Sequence, residues 1–541
     1  MGRTVATVIA EGLAAAGIAH AFCVPGESYL PLLNRLRDVP LRLVTCRHEA
    51  SAAHMAEATA KLTGRPGVAL VSRGPGACHA AIALHTAQQD STPLLLLVGQ
   101  VGEQSVGREA FQEMDYHRLF GAVAKRVVTL REPERAGEQL ASAIACALSG
   151  RPGPVVLVLP EDRLGLPSAA PALAPTIPGP PAPTSGAVAQ IARLLEKAQR
   201  PVLMLGGPGW TDEDRRLAEA VAERLGLPVV TAWRRKDRFD NRHPHYAGEL
   251  GLGANPALVA ALAEADLWLV VGARLTENET QGYTLFTPAT AAARLVHACA
   301  DADALGRVWP PRLAVHAGHR PMLEALAGLA PAARPRWVAT LAGLHHKWMK
   351  PTAVARGVNP AEVVATLSRL LPDDAIVANG AGNFAAWLHR FHAHRRCGTQ
   401  LAPVSGAMGY GVPAAIAAAL VHPDRPAVAL CGDGDFLMAV AELATVAHEG
   451  LAPLFIVLDN GQYGTIRMHQ DRLFPGRPVA TRLTNPDFAA LASSFGLAAF
   501  TVTETRAFAP ALEAAWGRAA VIHVVLDPDE IAPGRRLEAD A

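Results

Sequence analysis

Apolar runs of four or five residues recur along the chain, and proline, glycine or polar residues punctuate them. The clearest are Val68 to Val71, Leu94 to Val98, Val202 to Leu205, Leu267 to Val271, Ala427 to Leu430 and Leu454 to Leu458. Runs of this length predict strands buried on both faces of a parallel sheet. Alanine-rich segments of helical composition separate them, and the alternation predicts an α/β protein with parallel sheets flanked by helices. Ligands in open α/β sheets bind at the carboxyl ends of the strands. The residues that close each run are therefore where chemistry is expected.

Two closures stand out. Cys431-Gly432-Asp433-Gly434-Asp435 ends one run and Asp459-Asn460-Gly461 ends the next, with helical composition from Phe436 to Gly450 between them. This is one βαβ unit with Asp433 and Asn460 at its two strand ends, 27 residues apart. A carboxylate and an amide there are hard oxygen ligands for Mg²⁺ or Ca²⁺, and Mg²⁺ completes its octahedron with phosphate oxygens and water. The glycines let backbone N–H groups approach an anion closely. The unit is suited to hold a metal and a diphosphate together.

The pattern occurs twice. Arg65 to Val71 matches Arg425 to Cys431, and Pro93 to Val98 matches Pro453 to Leu458, both at an offset of 360 residues. A glycine-rich loop follows the first strand of each pair, Arg73-Gly74-Pro75-Gly76 and Gly432-Asp433-Gly434, which suggests a duplicated fold. Stretches rich in proline and alanine at 166–187 and 331–354 read as extended linkers. They leave an N-terminal domain at 1–165, a central domain at 188–330 and a C-terminal domain at 355–535. Three domains suit a chain of 541 residues.

Half of the residues are apolar, 18% are charged and the net charge is +1, a balance that gives no reason to expect nucleic acid or an anionic membrane as partner. No apolar run approaches the roughly 20 residues that span a bilayer. Seven scattered cysteines without a CxxC pair predict reduced thiols and a cytoplasmic protein. Met1 to Phe22, interrupted by Arg3, Glu11 and His20, reads as an amphipathic first helix and not as a signal peptide.

Gly432-Asp433-Gly434 followed by Asn460 resembles the cofactor motif of the thiamine-diphosphate enzymes. The resemblance covers nearly the whole chain, because the acetolactate synthase and pyruvate decarboxylase branch places a central domain between two similar cofactor-binding ones. It implies that Asp433 and Asn460 bind Mg²⁺ through their side chains and Gln462 through its carbonyl, while Gly434 and Asp435 offer amides to the diphosphate. Asn379-Gly380-Ala381-Gly382-Asn383-Phe384 ends another strand and makes Asn383 a further cofactor-binding candidate. Asp435 departs from the family, which often has a small or hydroxyl residue there. A second carboxylate beside an anion is unfavourable unless it turns away or meets a cation.

Val44 to Glu49 reads as a strand ending in charge, with a helix from Ala50 to Thr63. From the residues alone, Glu49 is a carboxylate favoured by the helix dipole. The resemblance makes it the catalytic glutamate that shares a proton with N1′ of the cofactor's aminopyrimidine. Ser405-Gly406-Ala407-Met408-Gly409-Tyr410-Gly411 resembles the synthase run that supports the cofactor from below. Met408 would hold it bent and Gly406 would offer its carbonyl to the 4′-amine, with core packing as the other reading of Met408.

On the substrate side the resemblance points to Glu27 and Ser28 in Phe22 to Ser28, to His79 in Gly74 to His79, and to Phe111 and Gln112. It also points to His469, which stands where the synthases place a Trp over the pocket. Glu27 is either a solvated carboxylate or a selector of a polar acceptor. His79 and His469 are either proton-transfer groups or structural ones. Lys125 reads as a solvated charge. In the central block, Gly206-Gly207-Pro208-Gly209 is not GxGxxG and lacks its acidic partner, so FAD is possible there and the less favoured reading. The run Arg234-Arg235-Lys236-Asp237-Arg238 is either a phosphate contact or a solvated face.

The implied activity is thiamine-diphosphate- and Mg²⁺-dependent decarboxylation of a 2-oxo acid, with transfer of the acyl-anion equivalent to a carbonyl acceptor, as in acetolactate synthase. A simple 2-oxo acid decarboxylase or a 2-hydroxy ketone lyase is the alternative, and a non-catalytic member without cofactor the remote one. The architecture implies a homodimer or homotetramer in which Glu49 of one subunit meets Asp433 of another.

Overall fold

The apolar runs form buried strands in three six-stranded parallel sheets. The computed structural model describes residues 2–537. The first sheet has β1 (His20–Cys23), β2 (Arg42–Thr45), β3 (Gly67–Val71), β4 (Leu94–Gln100), β5 (Arg126–Thr129) and β6 (Val155–Pro160), in the order β2-β1-β3-β4-β6-β5. The central sheet has β7 (Pro201–Leu205), β8 (Val229–Thr231), β9 (Tyr246–Glu249), β10 (Leu267–Val271), β11 (Leu295–Cys299) and β12 (Leu313–His316), in the order β12-β11-β10-β7-β8-β9. The third has β13 (Ile376–Asn379), β14 (Gln400–Leu401), β15 (Ala427–Gly432), β16 (Leu454–Asp459), β17 (Ala498–Val502) and β18 (Ala520–Val525), in the order β14-β13-β15-β16-β18-β17. Counted from the start of each domain, the first and third orders are identical. Gly67 and Ala427 open β3 and β15, and Leu94 and Leu454 open β4 and β16, so the 360-residue echo is a repeat of topology.

The two similar domains pack on each other through helices Glu49–Thr63 and Gly411–Val421. Ala52, Ala53 and Ala56 share one core with Val412, Ala415 and Ile416. Small side chains let these backbones come close, and β3 presses from behind: a Cβ on Gly67 would lie 1.8 Å from the Ala56 carbonyl oxygen. Charges are buried at the same seam. Lys61 pairs with Glu57 at 2.9 Å and with Asp90 at 3.3 Å. Glu57 also accepts hydrogen bonds from Tyr410 and Thr92, both at 2.7 Å. Asp90 pairs with Arg235 of the central domain at 2.9 Å.

Five expectations are corrected. The first helix is Val5–Ala15, because Gly17 turns left-handed at φ 71° and His20 already belongs to β1. The segment between β15 and β16 is broken into helices Asp433–Leu437 and Leu443–Glu449. Residues 168–184 carry no helix or strand, whereas the second proposed linker contains helix Pro335–Trp348. Trp337, Val338, Leu341 and His345 form the buried stripe of that helix, and the Trp337 indole N–H donates to the Pro201 carbonyl at 2.9 Å. Lys125 is not a free charge, since its ammonium donates to the carbonyls of Cys146, Ser149 and Arg151 at 2.6, 2.8 and 2.8 Å. Arg234, Arg235 and Lys236 are buried, so that run is not a solvated face. All seven cysteines are free thiols, and no helix among the described residues is long and apolar enough to cross a membrane.

Gly67→Ala is expected to lower the thermal midpoint, with an overpacking cost of about 1–3 kcal/mol. Gly186→Ala, whose Cβ meets nothing within 4 Å, is expected to leave it unchanged or slightly raised. Equal midpoints for the two variants would contradict the packing described at Gly67.

Candidate cofactor site

β15 and β16 run side by side, with Gly432 paired to Leu458, so their polar closures adjoin. Asp433 opens a helical turn directly after β15 and is 3% exposed. Burial pushes its carboxyl up to about 6, a cost that a bound cation would remove. The Asn485 side-chain amide bridges it to Asp459, donating to one oxygen of each carboxylate at 2.8 Å. Asp459 in turn accepts from the Gly461 amide at 3.0 Å and meets His523 Nε2 at 2.9 Å. The sequence reading missed Asn485 and His523. Neither sits in a motif, and both join the site through long-range contacts.

Asp433, Asn460 and Gln462 line one cavity of about 230 Å³, and Asn383, Gly406, Met408 and Gly434 line it too. Asn383 is oriented by Thr465, whose hydroxyl donates to its Oδ1 at 3.0 Å, and by the Ile531 carbonyl, which accepts from its Nδ2 at 3.0 Å. A Cβ on Gly434 would lie 2.6 Å from the Tyr463 ring, so only glycine leaves this backbone open beside the cavity. Gly406 has φ 72°, the left-handed turn on which Met408 follows. A buried carboxylate, an amide oxygen and glycine-flanked backbone form a donor set that fits a hard divalent cation with a diphosphate.

Asp435 turns into the protein. Its Oδ1 accepts from the amides of Gly409 and Ala381 at 2.8 and 3.3 Å, and burial pushes its carboxyl up to about 7. The side chain that looked adverse to a diphosphate is a strut between the Gly380–Asn383 and Gly406–Gly409 loops.

Glu49 opens its helix and is half-buried. Two contacts shape it. The buried Glu442 carboxylate accepts from the amides of Arg47 and His48, both at 3.0 Å, and so fixes the turn. His79 Nδ1 lies 2.8 Å from Glu49 Oε2, and the His48 ring stacks on His79 at 4.6 Å. Gly76 packs against the other oxygen, 3.2 Å from where a Cβ would be. Glu442 carried no motif and was missed.

The remaining candidates do not gather around this carboxylate within one chain. Glu27 pairs with Arg73 at 2.5 Å and its side chain stays 61% exposed, as a solvated loop carboxylate would. Ser28 is fully buried beside Gly99 and shares a hydrogen bond with Ser72 at 3.3 Å, which gives it no face toward a pocket. Phe111 is 77% exposed, and Gln112 takes φ 64° beside it. His469 is exposed and lies 3.3 Å from Arg472. Among the described residues, the 230 Å³ cavity is lined by the third domain alone.

In the central domain, the loops after β7 and β10 meet where the strand order reverses. They border a cavity of about 220 Å³ that also takes in Arg151, Arg235 and Arg274. Burial lowers Arg151 to about 10, and its Nε donates to Ser91 Oγ at 3.0 Å. The lining carries both signs of charge: Asp90, Glu279 and Asp301 stand beside the three guanidinium groups, and Arg235 is paired with Asp90.

Three family models match the chain: the thiamine pyrophosphate enzyme N-terminal TPP binding domain over residues 3–119, the central domain over 188–326 and the C-terminal TPP binding domain over 380–524. The chain belongs to the thiamine pyrophosphate enzymes. It is 31% identical to the acetolactate synthase large subunit of Corynebacterium glutamicum, over 91% of this chain and 82% of that one. It is also 31% identical to the isozyme 2 large subunit of Escherichia coli K12, over 90% and 89%. Among solved structures it is similar to the thiamine diphosphate-dependent 4-hydroxybenzoylformate decarboxylase of Rhodococcus jostii RHA1. That match has a TM-score of 0.83 and 28% identity, covering 97% of this chain and all of that one. The protein is therefore a thiamine-diphosphate-dependent enzyme related to acetolactate synthase large subunits.

Asn485→Ala removes the donor between two adjacent carboxylates. Metal-dependent binding of thiamine diphosphate, read by quenching of intrinsic fluorescence, is expected to weaken by about 10-fold or more, the usual cost of leaving a buried charged group unsatisfied. Unchanged affinity would remove Asn485 from the site.

Proposed function

We propose that this enzyme uses thiamine diphosphate and Mg²⁺ to decarboxylate a 2-oxo acid and to pass the acyl-anion equivalent to a carbonyl acceptor. The observation that carries this reading is the cluster of buried Asp433 with half-buried Asn485 and Asp459 at a glycine-flanked cavity. Asp433, Asn460 and the Gln462 carbonyl would hold the metal, and the amides after β15 would meet the diphosphate. The cofactor supplies the nucleophilic carbon and the electron sink for loss of CO₂. Gly406 and Met408 would set its bent orientation. Glu49 would hold the proton at N1′, with Glu442 fixing the turn that presents it.

The cavity takes no residue from the first domain, which supports a site completed by Glu49 of the partner subunit, and hence at least a homodimer. Phe111, Gln112, His79 and His469 would then face the substrate across that junction. Exposed Phe111, Ile466 and Phe474 are the apolar surface that such a junction would cover. A second reading, protonation of the acyl-anion equivalent to release an aldehyde, is favoured by the polar His79 beside Glu49 and by the likeness to a decarboxylase.

A panel of 2-oxo acids, assayed for CO₂ with and without an added aldehyde, tests both readings. A ligated hydroxy ketone is expected; free aldehyde as the sole product would establish the second reading, and no CO₂ from any acid would overturn both. Glu49→Gln is expected to lower kcat by about 10² to 10⁴-fold while metal-dependent cofactor binding persists. Mixing inactive Glu49→Gln subunits with inactive Asp433→Ala subunits is expected to restore partial activity. No recovery after verified subunit exchange would overturn the shared site.

A further inference from the structure

Arg234 follows β8 in the central domain, yet both hydrogen bonds of its guanidinium go to the third domain. Nη1 donates to the Pro403 carbonyl, and Nη2 donates to the Gly380 carbonyl at 3.1 Å. Pro403 opens the loop that carries Gly406 and Met408, and Gly380 opens the loop that carries Asn383. Both loops border the 230 Å³ cavity.

The placement is costly. The residue is 4% exposed, its Nε finds no partner among the described residues, and Asp90, Glu249 and Asp435 act on the charge only through space. Its backbone takes φ 57°, a conformation uncommon for a bulky side chain. The Glu249 carboxylate pins that turn by accepting from the Arg234 amide at 2.6 Å. Docking of the central domain does not require any of this. Arg235 pairs with Asp90 at 2.9 Å, and Lys236 donates to the carbonyls of His389 and His392 at 2.7 and 2.5 Å. A strained, buried guanidinium whose two hydrogen bonds both end on loop entrances is a device for holding those loops at a fixed separation. Its planar fork suits that task, whereas an ammonium is a point donor on a flexible stem.

We infer that Arg234 is a positioning residue for the reaction. It sets the distance between the loop expected to grip the diphosphate and the loop expected to hold the cofactor bent. The inference rests on the reading that these two loops bind thiamine diphosphate.

Arg234→Lys keeps the charge and loses the fork. Arg234→Gly loses both and relieves the left-handed strain, so it is the variant best placed to keep its fold. In protein free of cofactor, amide hydrogen exchange is expected to accelerate at 380–383 and 403–409 in both variants, with the sheet cores unchanged. Cofactor affinity is expected to weaken, and kcat at saturating cofactor to fall by about 10²-fold, as for a misplacement near 1 Å, while KM for the 2-oxo acid holds. Low-millimolar guanidinium ion is expected to restore part of kcat in Arg234→Gly and none in Arg234→Lys. Wild-type exchange at both loops together with wild-type kcat would overturn the inference. So would a loss of activity that tracks accelerated exchange throughout the central domain without guanidinium rescue. A wild-type protein that binds no thiamine diphosphate would instead overturn the proposed function, and exchange at the two loops would still test Arg234.

Discussion

Asp90 is where the three domains meet, and the placement of the loops bordering the 230 Å³ cavity depends on it. It belongs to the first domain, pairs with Lys61 at 3.3 Å and with Arg235 of the central domain at 2.9 Å, and accepts from the Val404 amide of the third at 3.0 Å. Burial alone would raise its pKa, but Lys61 and Arg235 hold it below the usual carboxylate value. Its neighbour Glu57 moves the other way, raised by burial although it shares the Lys61 cation and accepts from Tyr410. The asymmetry has a physical source. Asp90 has two cations and a backbone donor, whereas Glu57 has one cation and two hydroxyls. The lowered carboxylate is the one joining all three domains, and its stabilisation is present at neutral pH and lost as pH falls through the lowered pKa.

From Asp90 the constraint passes to the chemistry in short steps. Val404 is two residues from Gly406 and four from Met408. Arg235 is adjacent to Arg234, which reaches the next carbonyl back at Pro403 and across to Gly380. Asp435 ties the same two loops from the opposite side through Gly409 and Ala381. One buried carboxylate and one buried guanidinium therefore brace the two loops between them. Removing one member of a buried charged set leaves the others unpaired, which costs more than the set contributes relative to apolar packing. Such sets favour geometry over stability.

The sequence carried the framework because strands buried on both faces must be apolar and must end abruptly. The runs at Gly67, Leu94, Ala427 and Leu454 were legible for that reason, as were the polar closures at Asp433 and Asn460. What stayed hidden was whatever depends on contacts between distant segments. Asn485 and Glu442 look like ordinary surface residues until the fold sets them against Asp433 and the turn before Glu49. The Arg234–Arg238 run misled because clustered charge is usually solvated. Here backbone carbonyls and carboxylates of two other domains receive it. The helix Pro335–Trp348 was mistaken for a linker because flanking prolines masked an apolar stripe at helical spacing.

The two ends of the candidate site are built on opposite principles. At Asp433, the carboxylate is buried, linked through one shared amide to a second carboxylate, and raised in pKa by desolvation, so it is arranged to receive a cation. At Glu49, the carboxylate is half-buried, carries an imidazole on one oxygen and keeps glycine against the other. The same α/β topology presents both, each just after the carboxyl end of a parallel strand. The two positions are not equivalent in the repeat: Glu49 follows β2, the counterpart of β14, whereas Asp433 follows β15, the counterpart of β3, so the two carboxylates stand at different strand ends of the same topology.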